Sequence, residues 1–183
     1  FTPIADTIAC LLQLRDAVGD VLTALDATAD AAADLAARHV ATPIAGRTID
    51  ACVARGKHLL LHFSGRLTLR THMRMHGSWH LYRPGERWQR PVRAMRIRLD
   101  TAQWVAVAFD VPVAEFVRDA DLARHRPLAT LGPDLADPGF DREAALARLT
   151  AAAGLPIGDA VLDQRIVAGI GNVLRSETLF LTG

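Results

Sequence analysis

The sequence predicts an α+β chain: one helix, then an antiparallel sandwich or barrel, then a helical region. Three observations carry this prediction. Apolar residues recur near helical spacing at the start, switch to a period of two from Thr48, and return to helical spacing towards the end. Gly65, Gly77 and Pro84-Gly85 cut the middle stretch into short segments. The 183 residues, 50% of them apolar, suffice for one large or two small domains with cores.

The first element is a helix over about 7–18, where Ile8, Leu11, Leu12 and Val18 share a face and Asp6 stands at the cap position. The alanine-rich stretch 27–37 fits either helix or loop. Strands follow: Leu67 and Leu69 alternate with Arg66, Thr68 and Arg70, and Met95, Ile97 and Leu99 alternate with Arg96 and Arg98. Val105, Val107 and Phe109 continue the pattern, giving a sheet with its arginines on one surface. After Pro112 the spacing reads as helical. Leu131-Gly132-Pro133-Asp134 interrupts it, and Asp141 opens a helix with acids in its first turn. A second helix is expected from Pro156 to about Ala168 and a last one from Val173 to Leu181. The domain boundary is expected between Phe116 and Leu131.

Composition excludes disorder, collagen and coiled coil. The longest apolar runs, such as Val105–Ala108, are too short to span a bilayer. The start lacks the pattern of a signal peptide, so a reducing cytoplasm is expected, with Cys10 and Cys52 as buried free thiols. The beginning at Phe1 and the stop at Gly183, directly after a helical pattern, read as the ends of a fragment.

Charge is distributed unevenly. Between Arg55 and Arg98 stand eleven cations and one acid, Glu86, a net +10; the remainder holds 10 cations and 19 acids, a net −9. Five of the seven histidines share the cationic stretch. A polyanion is the natural partner of such a block; an arginine-rich solvated face is the alternative. Lys57 is the one lysine among 21 cations. Its compact ammonium does not substitute for arginine's planar fork, so it draws attention.

Gly169-Ile170-Gly171-Asn172 permits a tight turn, with Asn172 placed to cap the next helix. The exposed amides of that helix start would hold a phosphate; an ordinary capped turn has the same spacing.

Four segments carry a family resemblance: Val53-Ala-Arg-Gly-Lys57-His-Leu-Leu, Thr71-His-Met-Arg-Met75-His-Gly-Ser-Trp79, Leu131-Gly-Pro-Asp-Leu135, and the run from Leu162 through Gly169-Ile-Gly-Asn172 to Phe180. They resemble the formamidopyrimidine-DNA glycosylase/endonuclease VIII family, and His76-Gly-Ser-Trp79 and Phe109-Asp-Val-Pro-Val are closer to the endonuclease VIII branch. The resemblance covers nearly the whole chain. It implies an N-terminal helix plus a two-sheet antiparallel β-sandwich over 1–120. A helical domain with a helix–two-turn–helix element follows over 121–183.

The resemblance further implies a bifunctional DNA glycosylase and abasic-site lyase of base-excision repair. Its expected partner is double-stranded DNA with an oxidised base or abasic site. It would act as a cytoplasmic, nucleoid-associated monomer without membrane contact. Lys57 would contact a phosphate beside the lesion and support catalysis. Asn172, with Gly169 and Gly171, would grip another phosphate. Arg74, Met75 and His76 occupy the place of side chains that fill the gap left by a flipped nucleotide; for Met75, core packing is the alternative.

The family's nucleophile is an N-terminal proline followed by a glutamate. Pro3 matches the proline, but Thr2 acylates its nitrogen, and Ile4 stands where the proton-carrying glutamate belongs. The family's four-cysteine zinc finger has no counterpart among two cysteines, so no cofactor and no metal site are expected in this chain, and zinc is expected only in a full-length protein. Three possibilities stand at this point: an enzyme of the family, a catalytically silent DNA-binding relative, and a truncated fragment.

Overall fold

The protein, seen in a computed structural model, is described at residue 10 and over residues 12–27 and 44–183. Pro3, Ile4, the Asp6 cap and the stretch 28–37 lie outside the described residues. Helical backbone at 12–14 runs into a 3-10 turn, Arg15–Ala17, and Cys10 is anchored under the sheet, its Sγ accepting from the Trp79 amide at 3.1 Å.

Among the described residues eight strands follow. They are β1 (Leu22–Ala27), β2 (Ile49–Arg55), β3 (His58–Phe63), β4 (Leu67–His72), β5 (Ser78–Tyr82), β6 (Met95–Thr101), β7 (Val105–Phe109) and β8 (Val113–Arg118). They form two four-stranded sheets, ordered β1-β6-β7-β5 and β2-β3-β4-β8, all pairs antiparallel. The expected two-sheet sandwich is therefore present. Its core is a single cluster that includes Leu59, Leu61, Phe63, Leu69, Trp79, Ile97, Leu99 and Phe116. The outer face of the first sheet is covered in turn, where Trp88 packs on Tyr82, Val107 and Phe109.

Three sequence expectations need correction here. The segment after Pro112 is strand, not helix. All of its residues from Ala114 to Val117 are buried, because both faces of the second sheet are covered, and the alternation that marks a strand disappears. β1 was not foreseen at all. Nor do the arginines form one solvated surface: Arg70 is buried and ion-paired with Glu115, its cross-strand neighbour on β8.

The helical region holds α1 (Asp119–Leu122), α2 (Arg126–Ala129), α3 (Arg142–Ala151), α4 (Ile157–Ala160) and α5 (Asn172–Thr182). Asp141 caps α3 by accepting from the Ala144 amide at 2.9 Å. The helix expected from Pro156 to Ala168 stops at Ala160. The Asp163 carboxylate takes the Arg165 amide at 2.9 Å, and the Gln164 amide group donates to the carbonyls of Leu162 and Ile170. These side chains offer the backbone partners that a continued helix would have supplied. A small second core of Ala145, Ala160, Ile166 and Val167 holds the region together.

Candidate functional site

β2 and β3 are joined by a two-residue hairpin, Gly56-Lys57, between the paired residues Arg55 and His58. Gly56 has φ +58°, a backbone conformation that glycine takes without cost. His58, the first residue of β3, pairs with His72, the last of β4. The Lys57 hairpin and the loop that follows His72 therefore emerge at one end of the second sheet. That loop, 73–77, turns back through Gly77, whose amide donates to the Met73 carbonyl at 3.0 Å. A Cβ on Gly77 would stand 2.7 Å from that same oxygen.

The hairpin leans on the helical region. The Gly56 amide donates to Oδ2 of Asp134 at 2.5 Å, and a Cβ on Gly56 would stand 3.4 Å from the Ala168 Cβ and 3.5 Å from the Leu131 side chain. The 131–135 strap is sewn to the segment before α5: Gly132 N donates to Gln164 O at 2.8 Å, Ala168 N to Pro133 O at 2.8 Å, and Leu135 N to Ala168 O at 3.1 Å. Gln164 then fixes the turn itself, its Oε1 accepting from the Gly169 amide at 2.9 Å. Gly169 has φ +99° and redirects the chain into α5. The hairpin carrying Lys57 and the turn leading to Asn172 are thus packed on one another.

The electrostatics at this end are cationic. His72 is held down to about 4, first by burial and then by the charges of Arg70, Lys57 and Arg74, so all three cations act on one imidazole. His58, in ring contact with His72 at 4.7 Å between centroids, is pushed to about 3 by burial and by Arg70. Both are neutral near pH 7. Burial also lowers the Lys57 ammonium below its ordinary value.

Each predicted residue within the described chain can now be placed. Lys57 is half-buried in the hairpin. Arg74, Met75 and His76 form the exposed tip of the 73–77 loop, with Arg74 at φ +51° and Met75 79% exposed. Core packing belongs to Met73 instead, at 2% exposure. Gly169 and Gly171 are buried in the turn, and Asn172 is exposed. Asn172 is the first residue of α5 rather than its cap, which is Gly171, and no side chain among the described residues caps this helix. Among the described residues its leading amides have no side-chain partner, unlike those of an ordinary capped turn. Pro3 lies outside the described residues.

The profile of the formamidopyrimidine-DNA glycosylase N-terminal domain matches residues 6–112. The chain belongs to that family. Within it, the chain is 41% identical to a probable endonuclease 8 2 of Streptomyces coelicolor, over 99% of this chain and 63% of that protein. It is 34% identical to a DNA-(apurinic or apyrimidinic site) lyase Nei2 of Mycolicibacterium smegmatis, over 80% of this chain and 55% of that one. It is 35% identical to endonuclease 8 of Escherichia coli, over 75% and 53%. The chain thus spans less than two thirds of these relatives. Among solved structures, Lactococcus lactis Fpg (MutM) in complex with DNA containing N7-benzyl-Fapy-dG shares the fold, at TM-score 0.78 and 21% identity over 98% of this chain.

Cys10 and Cys52 are both buried in the sandwich core. Burial beside Cys10 drives the Cys52 thiol up to about 12. Among the described residues no group of three or more His, Cys, Asp or Glu could hold a metal, and no helix is long and apolar enough to cross a membrane.

Three parts of the site escaped sequence reasoning: the Gly56–Asp134 bond, the Gln164 brace, and Arg90, which bonds the carbonyl of His76 at 3.1 Å. Asp134 and Gln164 both lie inside motifs that carry the resemblance. Arg90 had no signal beyond its charge.

Proposed function

We propose that this chain binds double-stranded DNA at an oxidised base or abasic site, as part of a base-excision-repair DNA glycosylase/AP lyase. The observation that carries the reading is the seating of the Lys57 hairpin against the turn before α5, beside the exposed 74–76 tip. Relatives named endonuclease 8 and AP lyase, and the lesion-containing DNA in Fpg complexes, support it. Lys57 and the open amides of α5, with Asn172, act on backbone phosphates, which position a duplex without reading its sequence. Arg74, Met75 and His76 enter the space of the flipped nucleotide. The division at residue 120, a monomeric state and a cytoplasmic, nucleoid-associated location belong to this reading.

Strand cleavage in the family begins when a secondary amine attacks C1′, displacing the base (or, at an abasic site, condensing with the ring-opened aldehyde and releasing water), and the ring-opened sugar is left as an iminium. That cation acidifies C2′; loss of its proton expels the 3′ phosphate. In this chain the nitrogen of Pro3 is tied up in the Thr2–Pro3 amide and Ile4 carries no proton. These two residues favour a second reading, a relative that binds damaged DNA without cutting it. No step of either reading runs through zinc.

A salt-titrated gel shift with an abasic-site duplex tests the binding, and borohydride trapping on the same duplex tests the amine. Affinity should fall steeply with salt. A trapped adduct selects the lyase; binding without an adduct selects the silent relative. No affinity for the abasic duplex overturns both.

A further inference from the structure

The tip that carries Met75 is held from behind by a residue of another loop. Arg90 lies between β5 and β6. Its Nη1 donates to the His76 carbonyl at 3.1 Å and to the Ser78 hydroxyl at 3.2 Å, and its Nη2 donates to Oδ2 of Asp110 at 2.5 Å. Asp110 sits in the β7–β8 turn at φ +49°. One guanidinium thus joins three loops. Its own loop is anchored: the Gln89 amide donates to the Tyr82 hydroxyl at 3.1 Å, Trp88 packs on Tyr82 and Phe109, and the Arg90 guanidinium stands 5.9 Å from the Phe109 ring centre.

The tip needs such support. Its own internal bonds reach only its first half and its end: Arg74 N donates to His72 Nδ1 at 3.2 Å and Gly77 N to Met73 O at 3.0 Å. The left-handed Arg74 is a conformation that arginine seldom adopts unaided. His76 is itself exposed, and its carbonyl accepts from Arg90.

We propose that Arg90 is the positioning residue of the 74–76 tip, presetting it so that Met75 enters an unstacked duplex on a backbone already fixed by the His76–Ser78–Asp110 clamp. This rests on the DNA-binding reading above. A preset tip loses less freedom on entry, so the clamp acts on the preference for gapped over intact DNA rather than on general affinity. Lysine keeps the charge but cannot make the forked set of bonds, which separates positioning from simple phosphate attraction.

The test uses the full chain and a duplex in which 2-aminopurine lies opposite a tetrahydrofuran abasic analogue. Insertion of Met75 unstacks the probe and raises its fluorescence. With Arg90→Lys, the preference for the abasic over the intact duplex should fall roughly five- to tenfold and the fluorescence rise should be lost. Affinity for intact duplex should stay within about twofold, since the charge is retained. Met75→Ala should lose the rise as well. Asp110→Asn keeps a residue type that tolerates left-handed φ, takes the charge out of the clamp while leaving one acceptor, and should show a partial loss; it serves where Arg90→Lys does not fold. Wild-type preference and signal in both variants would overturn the proposal, as would equal losses on abasic and intact duplex. A wild-type chain without DNA affinity overturns the function itself; wild-type binding with an unaffected Arg90→Lys overturns only the clamp.

Discussion

The amide of Gly56 and the carboxylate of Asp134, 78 residues apart, meet at 2.5 Å where the sandwich hairpin touches the helical strap. The bond fixes the height of Lys57 above the turn that opens α5. Asp134 uses its second oxygen on the Ala136 amide at 3.1 Å, so one carboxylate shapes its own strap and grips the hairpin together.

Asp134→Ala should therefore act at two places. Part-buried amide donors lose a charged acceptor, at a cost of about 1–2 kcal/mol. Chemical denaturation should report that loss. The gel shift should report weaker abasic-duplex binding beyond what one acidic residue's removal implies, since removing a negative charge alone strengthens DNA affinity. Asp134→Asn keeps one oxygen acceptor but sets an NH2 donor against the other backbone amide, so it should recover only part of the stability.

Gly132→Ala tests the strap's closeness to the α5 turn. A Cβ there would stand 2.4 Å from the Ile166 carbonyl oxygen and 2.7 Å from that of Arg165, both backbone atoms that cannot rotate aside. Overpacking of this kind costs about 1–3 kcal/mol. Gly154→Ala is the matched control: nothing lies within 4 Å of its Cβ, so its unfolding midpoint should barely move. Equal shifts for both would show that the strap is free to give.

The sandwich was legible where one face of a strand meets the core, as in β6, whose Ile97 and Leu99 are buried between less buried neighbours. It was not legible in β8. There Glu115 sits among apolar residues with no period, because its partners Arg70 and His125 come from 45 residues before it and from the helical region. The end of α4 at Ala160 turned on Gln164, whose bonds to Leu162, Gly169 and Ile170 form only once the turn exists. Lys57 stood out as the one lysine before any resemblance gave it a role, the 74–76 tip was found through motif resemblance, and period alone left Met75 open between core and surface. The Arg90 clamp depends on three loops meeting, which no local pattern records.

The buried pair of Arg70 and Glu115 gives a third expectation. His125 Nε2 also reaches Glu115 Oε1, at 2.8 Å, tying the α1–α2 link to the sheet. Glu115→Gln or Arg70→Ala breaks a buried ion pair, and each should cost about 3–5 kcal/mol. Replacing both, as in Arg70→Met with Glu115→Leu, should recover much of the loss. A thermal-unfolding double-mutant cycle with additive losses would show the pair to be uncoupled.

Acid should destabilise the fold through His58 and His72. Both are held far below the usual histidine value, to about 3 and about 4, with burial the leading cause for each. As pH falls from about 6.5, the unfolded chain takes up protons that the folded chain refuses, so stability declines down to about pH 4 and further towards 3. His58→Leu removes one of these titrations, and the Nδ1 of His58 has no hydrogen-bond partner to lose. Its denaturation midpoint should fall less between pH 6.5 and 4 than that of the wild type. Parallel pH profiles would remove His58 from the account.

Lys57 is the last case, and here the substitution separates charge from shape. Lys57→Ala should weaken abasic-duplex binding and reduce the magnitude of the salt slope by about one, the signature of one lost phosphate contact. Lys57→Arg keeps the charge, but the hairpin leaves a half-buried niche for a compact ammonium, one already desolvated enough to lower its pKa. A planar guanidinium is larger and its charge is spread over a fork. The salt slope should therefore recover with arginine while the preference for abasic over intact duplex does not. If arginine restores both, position 57 contributes only charge, and the compactness of lysine has no bearing on the site.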